Sequence, residues 1–269
     1  MSRLEKALKR AKQDRDDKGA SVVETRQKLT DSEYTQTRVE KVSEAVLRKS
    51  GVLTSSISPA IIEQYNLLRV RVLEALSRDG SNSILVASPG QGEGKTFTAV
   101  NLAVSLAREK TRTVLLIDTD LRRPAVHSYF GLSQEPGLYE HLTRGVPLSE
   151  LLVNPGMPRL TLLPAGKSEQ YPSDFLNTPA MHSFVREVKG RYPDRYIIFD
   201  SPPLLGFSDA LYLSRFADGV IIVVRSQETK EEDLKRSLEL LRDRHILGTV
   251  LNGVRSEFAE WRGYEKYYQ

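Results

Sequence analysis

The residues best suited to chemistry form a glycine-rich segment, Ser88–Thr96, which reads Ser-Pro-Gly-Gln-Gly-Glu-Gly-Lys-Thr. This segment follows an apolar run, Ile84–Ala87, and precedes a helical pattern, Phe97–Ala107. Glycines let a backbone wrap phosphates without Cβ clashes, and the start of a helix adds its positive dipole end. The Lys95 ammonium can then reach the β- and γ-phosphates, and the Thr96 hydroxyl can bind Mg²⁺. The segment therefore predicts a nucleoside triphosphate site.

The match to the strict phosphate-loop pattern G-x-x-x-x-G-K-[ST] is imperfect, because Pro89 stands in the place of the first glycine. The position between a buried strand and an amphipathic helix favours phosphate binding over a glycine turn that binds nothing. The predicted contacts in the loop are Gly90, Gly92, Glu93, Gly94, Lys95, Thr96 and Phe97.

Two acidic sites follow apolar strand patterns. Asp118 and Asp120 end the run that begins at Val114, and Asp200 ends the run Ile197–Phe199. Ligands of open α/β sheets lie at the carboxyl ends of the strands, so these side chains are candidates for Mg²⁺ and the γ-phosphate. One aspartate of the pair would orient the metal, and the other could accept a proton from an attacking hydroxyl. A turn or helix cap is the alternative for any single strand-end aspartate.

From residue 83 onward, strand and helix patterns alternate. The strand runs are rich in Val, Ile and Leu without polar alternation, which indicates burial on both faces. The chain is therefore predicted to be an α/β P-loop NTPase with a mostly parallel sheet flanked by helices. Strands are predicted at Ile84–Ala87, Thr113–Ile117, Leu160–Leu163, Tyr196–Phe199, Val220–Val224 and Thr249–Leu251. Helices are predicted at Ala60–Leu76, Thr96–Arg108, Phe175–Lys189, Asp209–Phe216 and Lys230–Arg244.

Composition limits the other possibilities. The 269 residues include no cysteine, which excludes disulfides and cysteine metal sites, and the four histidines lack metal-ligand spacing. No apolar run approaches the ~20 residues of a membrane span, and no signal-peptide pattern opens the chain, so we expect a cytoplasmic protein. Residues 51–269 hold 26 basic and 26 acidic residues. This balance argues against nucleic-acid binding.

The positive charge is concentrated at the start of the chain, where residues 1–50 hold 13 basic and 9 acidic residues. Leu4, Ala7, Leu8 and Ala11 form one helical stripe, which predicts a short basic amphipathic helix that could dock on a partner or an anionic membrane face. A solvated mixed-charge segment is the alternative. The predicted organisation is a basic helix and polar arm over 1–58, a P-loop domain over 59–255 and a flexible tail over 256–269.

Two segments carry a resemblance to a known family. Val114–Pro124, Val-Leu-Leu-Ile-Asp-Thr-Asp-Leu-Arg-Arg-Pro, resembles the D-x-D-x-R-[RK]-P hallmark of bacterial tyrosine kinases of the polysaccharide co-polymerase type. Phe199–Ala210, Phe-Asp-Ser-Pro-Pro-Leu-Leu-Gly-Phe-Ser-Asp-Ala, resembles their Walker-B segment. The likeness covers about residues 59–269. The opening, Met1–Leu8, is similar to the subgroup associated with exosortase and exopolysaccharide loci.

The resemblance implies a deviant-Walker P-loop fold, ATP and Mg²⁺ as cofactors, and autophosphorylation of C-terminal tyrosines. Asp118 is the implied catalytic base, and Asn252 matches the segment near the base pocket of related ATPases. The implied catalytic residues are Lys95, Asp118 and Asp120, and the implied Mg²⁺ ligands are Thr96, Asp120 and Asp200.

The last residues, Trp261–Gln269, read Trp-Arg-Gly-Tyr-Glu-Lys-Tyr-Tyr-Gln and hold three of the chain's eleven tyrosines. A chain terminus after a glycine favours flexibility, which a phosphoacceptor needs to reach a neighbouring subunit. Taken with the resemblance, this predicts Tyr264, Tyr267 and Tyr268 as phosphoacceptors. An aromatic tail packed on the body is the alternative from composition alone.

The resemblance also implies partners: a membrane-bound chain-length protein with a cytoplasmic activating segment, a cognate tyrosine phosphatase, and further copies of the chain. Recruitment to the inner face of the membrane would then occur through the chain-length protein.

The family's ring-forming helix motif is E-x-x-R-x-x-R. The corresponding segment here, Glu63–Arg69, has Asn66 in place of the first arginine, and Arg71 is a partial substitute. A homo-oligomer is expected, and the sequence leaves its ring form open.

Two alternatives to the kinase function stay open. One is an ATPase of the cell-division or chromosome-partitioning class, which carries a second lysine early in the loop. Residues 88–94 contain no lysine. The other is a nucleotide-switch scaffold that regulates an envelope partner without phosphorylating tyrosine.

Overall fold

The computed structural model describes residues 37–77, 81–191 and 194–254, which form a sheet of eight strands with helices on both faces. The strands are β1 (Arg38–Val39), β2 (Ser83–Ala87), β3 (Thr113–Asp118), β4 (Val153–Asn154), β5 (Leu160–Leu163), β6 (Arg195–Asp200), β7 (Gly219–Arg225) and β8 (Ile246–Asn252). The helices are α1 (Glu44–Lys49), α2 (Pro59–Ser77), α3 (Lys95–Leu106), α4 (Val126–Tyr129), α5 (Leu138–Arg144), α6 (Leu148–Leu151), α7 (Ser173–Leu176), α8 (Pro179–Gly190), α9 (Asp209–Leu213) and α10 (Glu231–Leu240).

The strand order is β1-β4-β5-β3-β6-β2-β7-β8. Neighbouring strands are parallel except β4 and β5, which pair antiparallel. The predicted fold class, a mostly parallel sheet flanked by helices, is confirmed. All six predicted strands are present, with small differences at their ends.

The core explains why the strands lack polar alternation. Along β2, Ile84 and Val86 pack into the layer that contains α2 and α3, whereas Leu85 and Ala87 pack into the layer that contains α8 and α9. All five residues of β2 are buried. Successive side chains of a strand point to opposite faces, so a strand covered on both faces needs an unbroken apolar run.

Strand register brings the acidic residues together. Asp118 at the end of β3 pairs with Asp200 at the end of β6, and Val86 of β2 pairs with Asp200 on the other side. The glycine-rich loop leaves β2 one residue after Ala87. The loop and both acidic sites therefore lie at one edge of the sheet, as the strand-end rule predicts.

Residues 37–58 fall within the predicted polar arm but contribute to the core. Leu47, Val52 and Leu53 are buried in the core, and β1 extends the sheet by pairing with β4. Sequence patterning missed this because the packing residues are few and are separated by polar positions. Residues 1–36 and 255–269, which include the predicted basic helix and the tyrosine tail, lie outside the described residues.

A buried asparagine joins this segment to α3. The side-chain oxygen of Asn101 accepts from the backbone N–H of Leu53 at 2.8 Å, and its amide nitrogen donates to the carbonyls of Gly51 and Phe97 at 3.2 and 3.1 Å. Asn101 is fully buried. Its side chain therefore satisfies backbone groups that water cannot reach.

We predict that Asn101→Ala lowers the free energy of unfolding by about 3 kcal/mol, because it leaves a buried N–H and a buried carbonyl without partners. Urea denaturation monitored by circular dichroism measures the change. Asn177→Ala, at an exposed position, is the control and should change it by less than about 0.5 kcal/mol. A loss below about 1 kcal/mol in Asn101→Ala would contradict the assignment.

The helices that differ from prediction have local causes. The predicted helix Phe175–Lys189 is two helices, α7 and α8, because Pro179 disfavours helical backbone at Thr178. Thr178 has extended dihedral angles and caps α8 by accepting from the N–H of Met181. Helices α9 and α10 end three or four residues before the predicted boundaries. Helices α4 to α6 span four to seven residues each, too few for a periodic signal.

Candidate nucleotide site

The glycine-rich loop is built by backbone conformations that favour glycine. Gly92 and Gly94 have φ angles of +78° and +92°, and Gly94 is the N-cap of α3 without a side-chain cap. A Cβ on Gly94 would collide with the side-chain amide of Asn252. The loop can therefore present its backbone to an anion at the start of a twelve-residue helix.

Glu93 holds the loop from within. Its carboxylate accepts from the N–H of Gly90 at 2.8 Å and from the hydroxyl of Thr229 at 2.5 Å. Asn252 donates its side-chain amide to the Glu93 carbonyl at 2.9 Å, and Arg225 donates to the carbonyl of Gly92 at 3.2 Å. Glu93 thus shapes the loop, and the Asn252 side chain contacts its backbone.

Thr229 and Arg225 were not predicted as site residues. Each lies more than 130 residues beyond the loop residue that it contacts and reaches the loop only because β7 is the neighbour of β2. No short motif surrounds either residue, so the sequence carried no local signal for them.

Phe97 contributes mainly to packing. Its ring lies 6.5 Å from the ring of Tyr65 and 6.4 Å from the ring of Tyr129, measured between centroids. This aromatic cluster fixes the first turn of α3 against the segment around Gly51. At this position, only the backbone N–H is suited to a phosphate contact.

Lys95 forms an ion pair with Asp120 across the site. Its Nζ lies 3.2 Å from Oδ2 of Asp120 and 3.5 Å from Oγ1 of Thr96. Burial lowers the pKa of the Lys95 ammonium, but the charges of Asp200, Asp120 and Asp118 outweigh burial and raise it above its ordinary value. Lys95 is therefore a fixed positive charge at this edge of the sheet.

Asp118 is fully buried and organises the turn after β3. Its Oδ2 accepts from the N–H groups of Ala125 and Val126 at 2.9 and 3.0 Å, and its Oδ1 accepts from the N–H of Asp120 at 3.1 Å. Burial, together with the charge of Asp200, raises the pKa of Asp118 to about 8. Asp118 therefore holds the turn after β3 through these hydrogen bonds, and it binds a proton more tightly than an exposed aspartate does.

Asp200 is the least satisfied group at the site. It is fully buried, and neither carboxylate oxygen has a hydrogen-bond partner among the described residues. Burial raises its pKa to about 6, although the charge of Lys95 and the hydroxyl of Thr96 act in the opposite direction. Burying a carboxylate that has no hydrogen-bond partner costs free energy unless a cation or a water molecule binds to it.

These groups fit Mg²⁺ of a nucleotide complex. Mg²⁺ prefers hard oxygen ligands and is usually held by one or two carboxylates, substrate phosphates and water. Asp200, Asp120 and the Thr96 hydroxyl supply such oxygens. Among the described residues, no cluster of three or more His, Cys, Asp or Glu side chains could hold a metal by itself.

A cleft of about 580 Å³ opens beside these groups. Gln91, Gly92 and Lys95 of the loop line one side. Asp120, Arg122 and Arg123 line another. The remaining lining residues are Glu169, Gln170, Pro202, Pro203 and Phe207. The cleft therefore gives a second reactant access to the phosphate end of the site.

Comparison with known proteins agrees with this geometry. The family described as an AAA domain matches residues 81–245. The tyrosine-protein kinase YwqD of Bacillus subtilis is 33% identical over 205 residues, which are 75% of this chain and 85% of YwqD. The chain belongs to the bacterial tyrosine-protein kinases.

Solved structures support the same placement. The BceF tyrosine kinase domain is 30% identical to this kinase with a TM-score of 0.68, and the match covers 82% of the kinase and 93% of that chain. The cell-division ATPase MinD of Pyrococcus furiosus, at 22% identity and a TM-score of 0.54, shares the fold alone. Some curated tyrosine-protein kinases are much longer, and the present kinase spans only 26–27% of their length.

The α2 motif of the kinase makes contacts within its own subunit. Asn66 donates its side-chain amide to Glu63 at 3.0 Å. Arg69 donates to the carbonyl of Ser105 in α3 at 2.9 Å and lies 3.5 Å from the carboxylate of Glu109. In the part of the kinase that the structure describes, no helix is long and apolar enough to cross a membrane.

Arg122 clamps the turn after β3 to the segment after β6. Its Nε donates to Oδ2 of Asp209 at 2.5 Å, a second nitrogen lies 3.4 Å from Oδ1, and a third donates to the carbonyl of Gln170 at 2.6 Å. Its guanidinium carbon lies 4.3 Å from the centroid of the Phe207 ring. Asp209 is fully buried, so this pair fixes one wall of the cleft.

We predict that Arg122→Ala lowers the free energy of unfolding by about 3–4 kcal/mol, because it leaves the buried Asp209 carboxylate unpaired. Chemical denaturation of the two single variants and of Arg122→Ala/Asp209→Ala measures the coupling. The double variant should lose clearly less than the sum of the single losses. Additive losses would show that the two side chains do not act as a pair.

Proposed function

We propose that this kinase transfers the γ-phosphoryl group of Mg²⁺-ATP to tyrosines in the C-terminal tail of another copy of itself, with Tyr264, Tyr267 and Tyr268 as acceptors. The observation that carries the proposal is the arrangement at the sheet edge. Lys95 pairs with Asp120 on the wall of a cleft, and its charge also interacts with the buried Asp200 carboxylate, which has no hydrogen-bond partner among the described residues. The tail supplies hydroxyls that a cleft open to solvent can receive.

Each residue of the site has a proposed role. Lys95 and the backbone of Gly90–Lys95 bind the phosphates, and Thr96, Asp120 and Asp200 hold Mg²⁺ directly or through water. Bound Mg²⁺ would neutralise charge on the phosphates. Asp118 is proposed to accept the phenolic proton, as the family resemblance implies, whereas Asp120 already pairs with Lys95. Asn252, whose side-chain amide donates to the Glu93 carbonyl, is proposed to line the base pocket.

Phosphorylation would change the charge of the tail. Each phosphate adds nearly two negative charges at neutral pH. A tail with several phosphates is expected to be repelled from the acidic groups around Asp118, Asp120 and Asp200. Release of the phosphorylated tail would then loosen contacts between subunits, and a cognate tyrosine phosphatase would reverse the change.

We further propose that the kinase acts with a membrane-bound polysaccharide co-polymerase, whose cytoplasmic segment activates it and recruits it to the inner face of the membrane. The resemblance to kinases of that type supports this proposal. The process that the kinase is proposed to regulate is the polymerisation and export of exopolysaccharide. The predicted basic helix at the start of the chain is the proposed dock. A test variant should begin at residue 37, because Leu47, Val52 and Leu53 are part of the core. Unchanged activation of this variant by the partner segment would refute the dock.

The experiment that tests the proposed function is incubation of the purified full-length kinase with Mg²⁺-ATP, followed by mass spectrometry of the C-terminal peptide. Phosphate on Tyr264, Tyr267 or Tyr268, absent from Lys95→Ala, is the expected result. If no product forms, the incubation is repeated with the partner's cytoplasmic segment. ATP hydrolysis with an unmodified tail in both incubations would contradict the proposal and favour the nucleotide-switch alternative.

A further inference from the structure

The two neighbouring arginines after the D-x-D motif lie in different surroundings. Arg122 is paired with the buried Asp209 carboxylate. Arg123 is exposed and has no ion-pair partner among the residues that the structure describes. Its guanidinium donates to a neutral acceptor, the side-chain oxygen of Gln91 at the tip of the phosphate loop, at 3.1 Å. Arg123 therefore keeps its positive charge available at the edge of the cleft.

Arg123 is also anchored to the reactive carboxylates through its backbone. Its N–H donates to Oδ1 of Asp120 at 3.1 Å, and Oδ2 of the same carboxylate lies 3.2 Å from Nζ of Lys95. One carboxylate thus holds Lys95 on one side and the backbone of Arg123 on the other. Both side chains line the same cleft.

We propose that Arg123 is a catalytic residue that donates hydrogen bonds to the γ-phosphoryl group during transfer, as a cation supplied by the same subunit. The proposal rests on the proposed function, since it concerns the same site. Before transfer, the Gln91 amide holds the guanidinium at the mouth of the cleft. In the reaction, the guanidinium exchanges this neutral partner for phosphoryl oxygens, which form stronger charge-assisted bonds.

The charge that develops during phosphoryl transfer explains why a second cation, in addition to Lys95, would accelerate the reaction. The tyrosyl oxygen forms a bond to the γ-phosphorus, the bond from that phosphorus to the β,γ-bridging oxygen breaks, and its electron pair stays on ADP. The phenolic proton passes to the Asp118 carboxylate. Negative charge spreads over the equatorial and leaving oxygens, and a planar guanidinium can contact two of them. Lys95 and Arg123 would then approach this charge from different sides.

The test compares affinity for the ground state with affinity for a mimic of the transfer. Full-length wild type, Arg123→Gln and Arg123→Lys are titrated with Mg²⁺-ADP alone and with Mg²⁺-ADP plus aluminium fluoride, which mimics the transferring phosphoryl group. Calorimetry gives the dissociation constants. Arg144→Gln, at an exposed position near the end of α5, is the matched control. Rates of ATP hydrolysis and of tail phosphorylation are measured in parallel.

We expect Arg123→Gln to bind Mg²⁺-ADP within about threefold of wild type but to lose about 100-fold or more of the extra affinity that aluminium fluoride provides. Arg123→Lys should recover part of this affinity, because it keeps the charge without the planar fork. Hydrolysis and tail phosphorylation should both fall about 100-fold in Arg123→Gln. Arg144→Gln should match wild type in every measurement.

Wild-type affinity for the aluminium fluoride complex in Arg123→Gln would overturn the proposal. An equal loss of affinity for Mg²⁺-ADP with and without aluminium fluoride would also overturn it, since Arg123 would then only shape the loop. The proposed function can fail separately. Wild type that hydrolyses ATP but leaves its tail unmodified refutes the tail as acceptor, while the affinities still decide the role of Arg123.

Discussion

Replacing Lys95 with alanine is expected to reduce tail phosphorylation by at least about 100-fold. Lys95 is the phosphate-loop cation, and the loss of one charged contact to a developing transition-state charge costs about 10²–10³ in rate. The same change removes the positive partner of Asp120 and the positive charge that stabilises the Asp200 carboxylate. The nucleotide-free variant should therefore also melt at a lower temperature than wild type.

Phosphorylation rates with saturating Mg²⁺-ATP and thermal melting without nucleotide measure the two effects. Lys235→Ala is the control, because the Lys235 side chain is 71% exposed and pairs with Glu231 on the surface of α10. The control should stay within about twofold of wild type. A Lys95→Ala variant that keeps more than about a tenth of the wild-type rate would contradict the role of the loop.

Replacing Asp200 with asparagine is expected to reduce catalysis by about 10³-fold without destabilising the nucleotide-free kinase. The carboxylate is buried, has no hydrogen-bond partner in the described structure and has a pKa raised to about 6. An acid whose pKa is higher in the folded state than in the unfolded state destabilises the fold at pH values above both. A neutral amide removes this cost, while loss of the metal-binding oxygen removes Mg²⁺-dependent charge stabilisation.

Two readouts separate these effects. Calorimetric titration with ATP, with and without Mg²⁺, should show that Mg²⁺ no longer improves the affinity of Asp200→Asn, and melting without nucleotide should be unchanged or higher. Asp243→Asn, at a position where the side chain is 82% exposed, is the matched control and should leave both measurements unchanged. A lower melting temperature together with normal Mg²⁺ dependence would show that Asp200 is structural.

The central part of the fold and of the site could be predicted because both rest on local signals. Unbroken apolar runs predicted β2, β3 and β6, since a strand covered on both faces needs them. The carboxyl ends of parallel strands lie at one edge, so Asp118 and Asp200 could be placed together before their register was known. The spacing of the loop glycines and Lys95 could be recognised because it lets the backbone surround the phosphates and lets the lysine reach them.

The contacts that the sequence did not reveal depend on packing between distant segments. Thr229 reaches the Glu93 carboxylate only through the adjacency of β7 and β2. Leu47 and Leu53 join the core from a segment that reads as polar. The different surroundings of Arg122 and Arg123 could not be predicted from adjacent identical residues, since only the fold places Asp209 beside the first of them.

The measurement that tests the account most directly mixes two variants of the kinase with Mg²⁺-ATP. One is Lys95→Ala with its tyrosines intact, and the other keeps Lys95 but carries Tyr264→Phe, Tyr267→Phe and Tyr268→Phe. Mass spectrometry should find phosphate on the tail of the Lys95→Ala chain only in the mixture, because the site of one subunit modifies the tail of another. An unmodified tail in the mixture, under conditions in which wild type modifies itself, would contradict transfer between subunits.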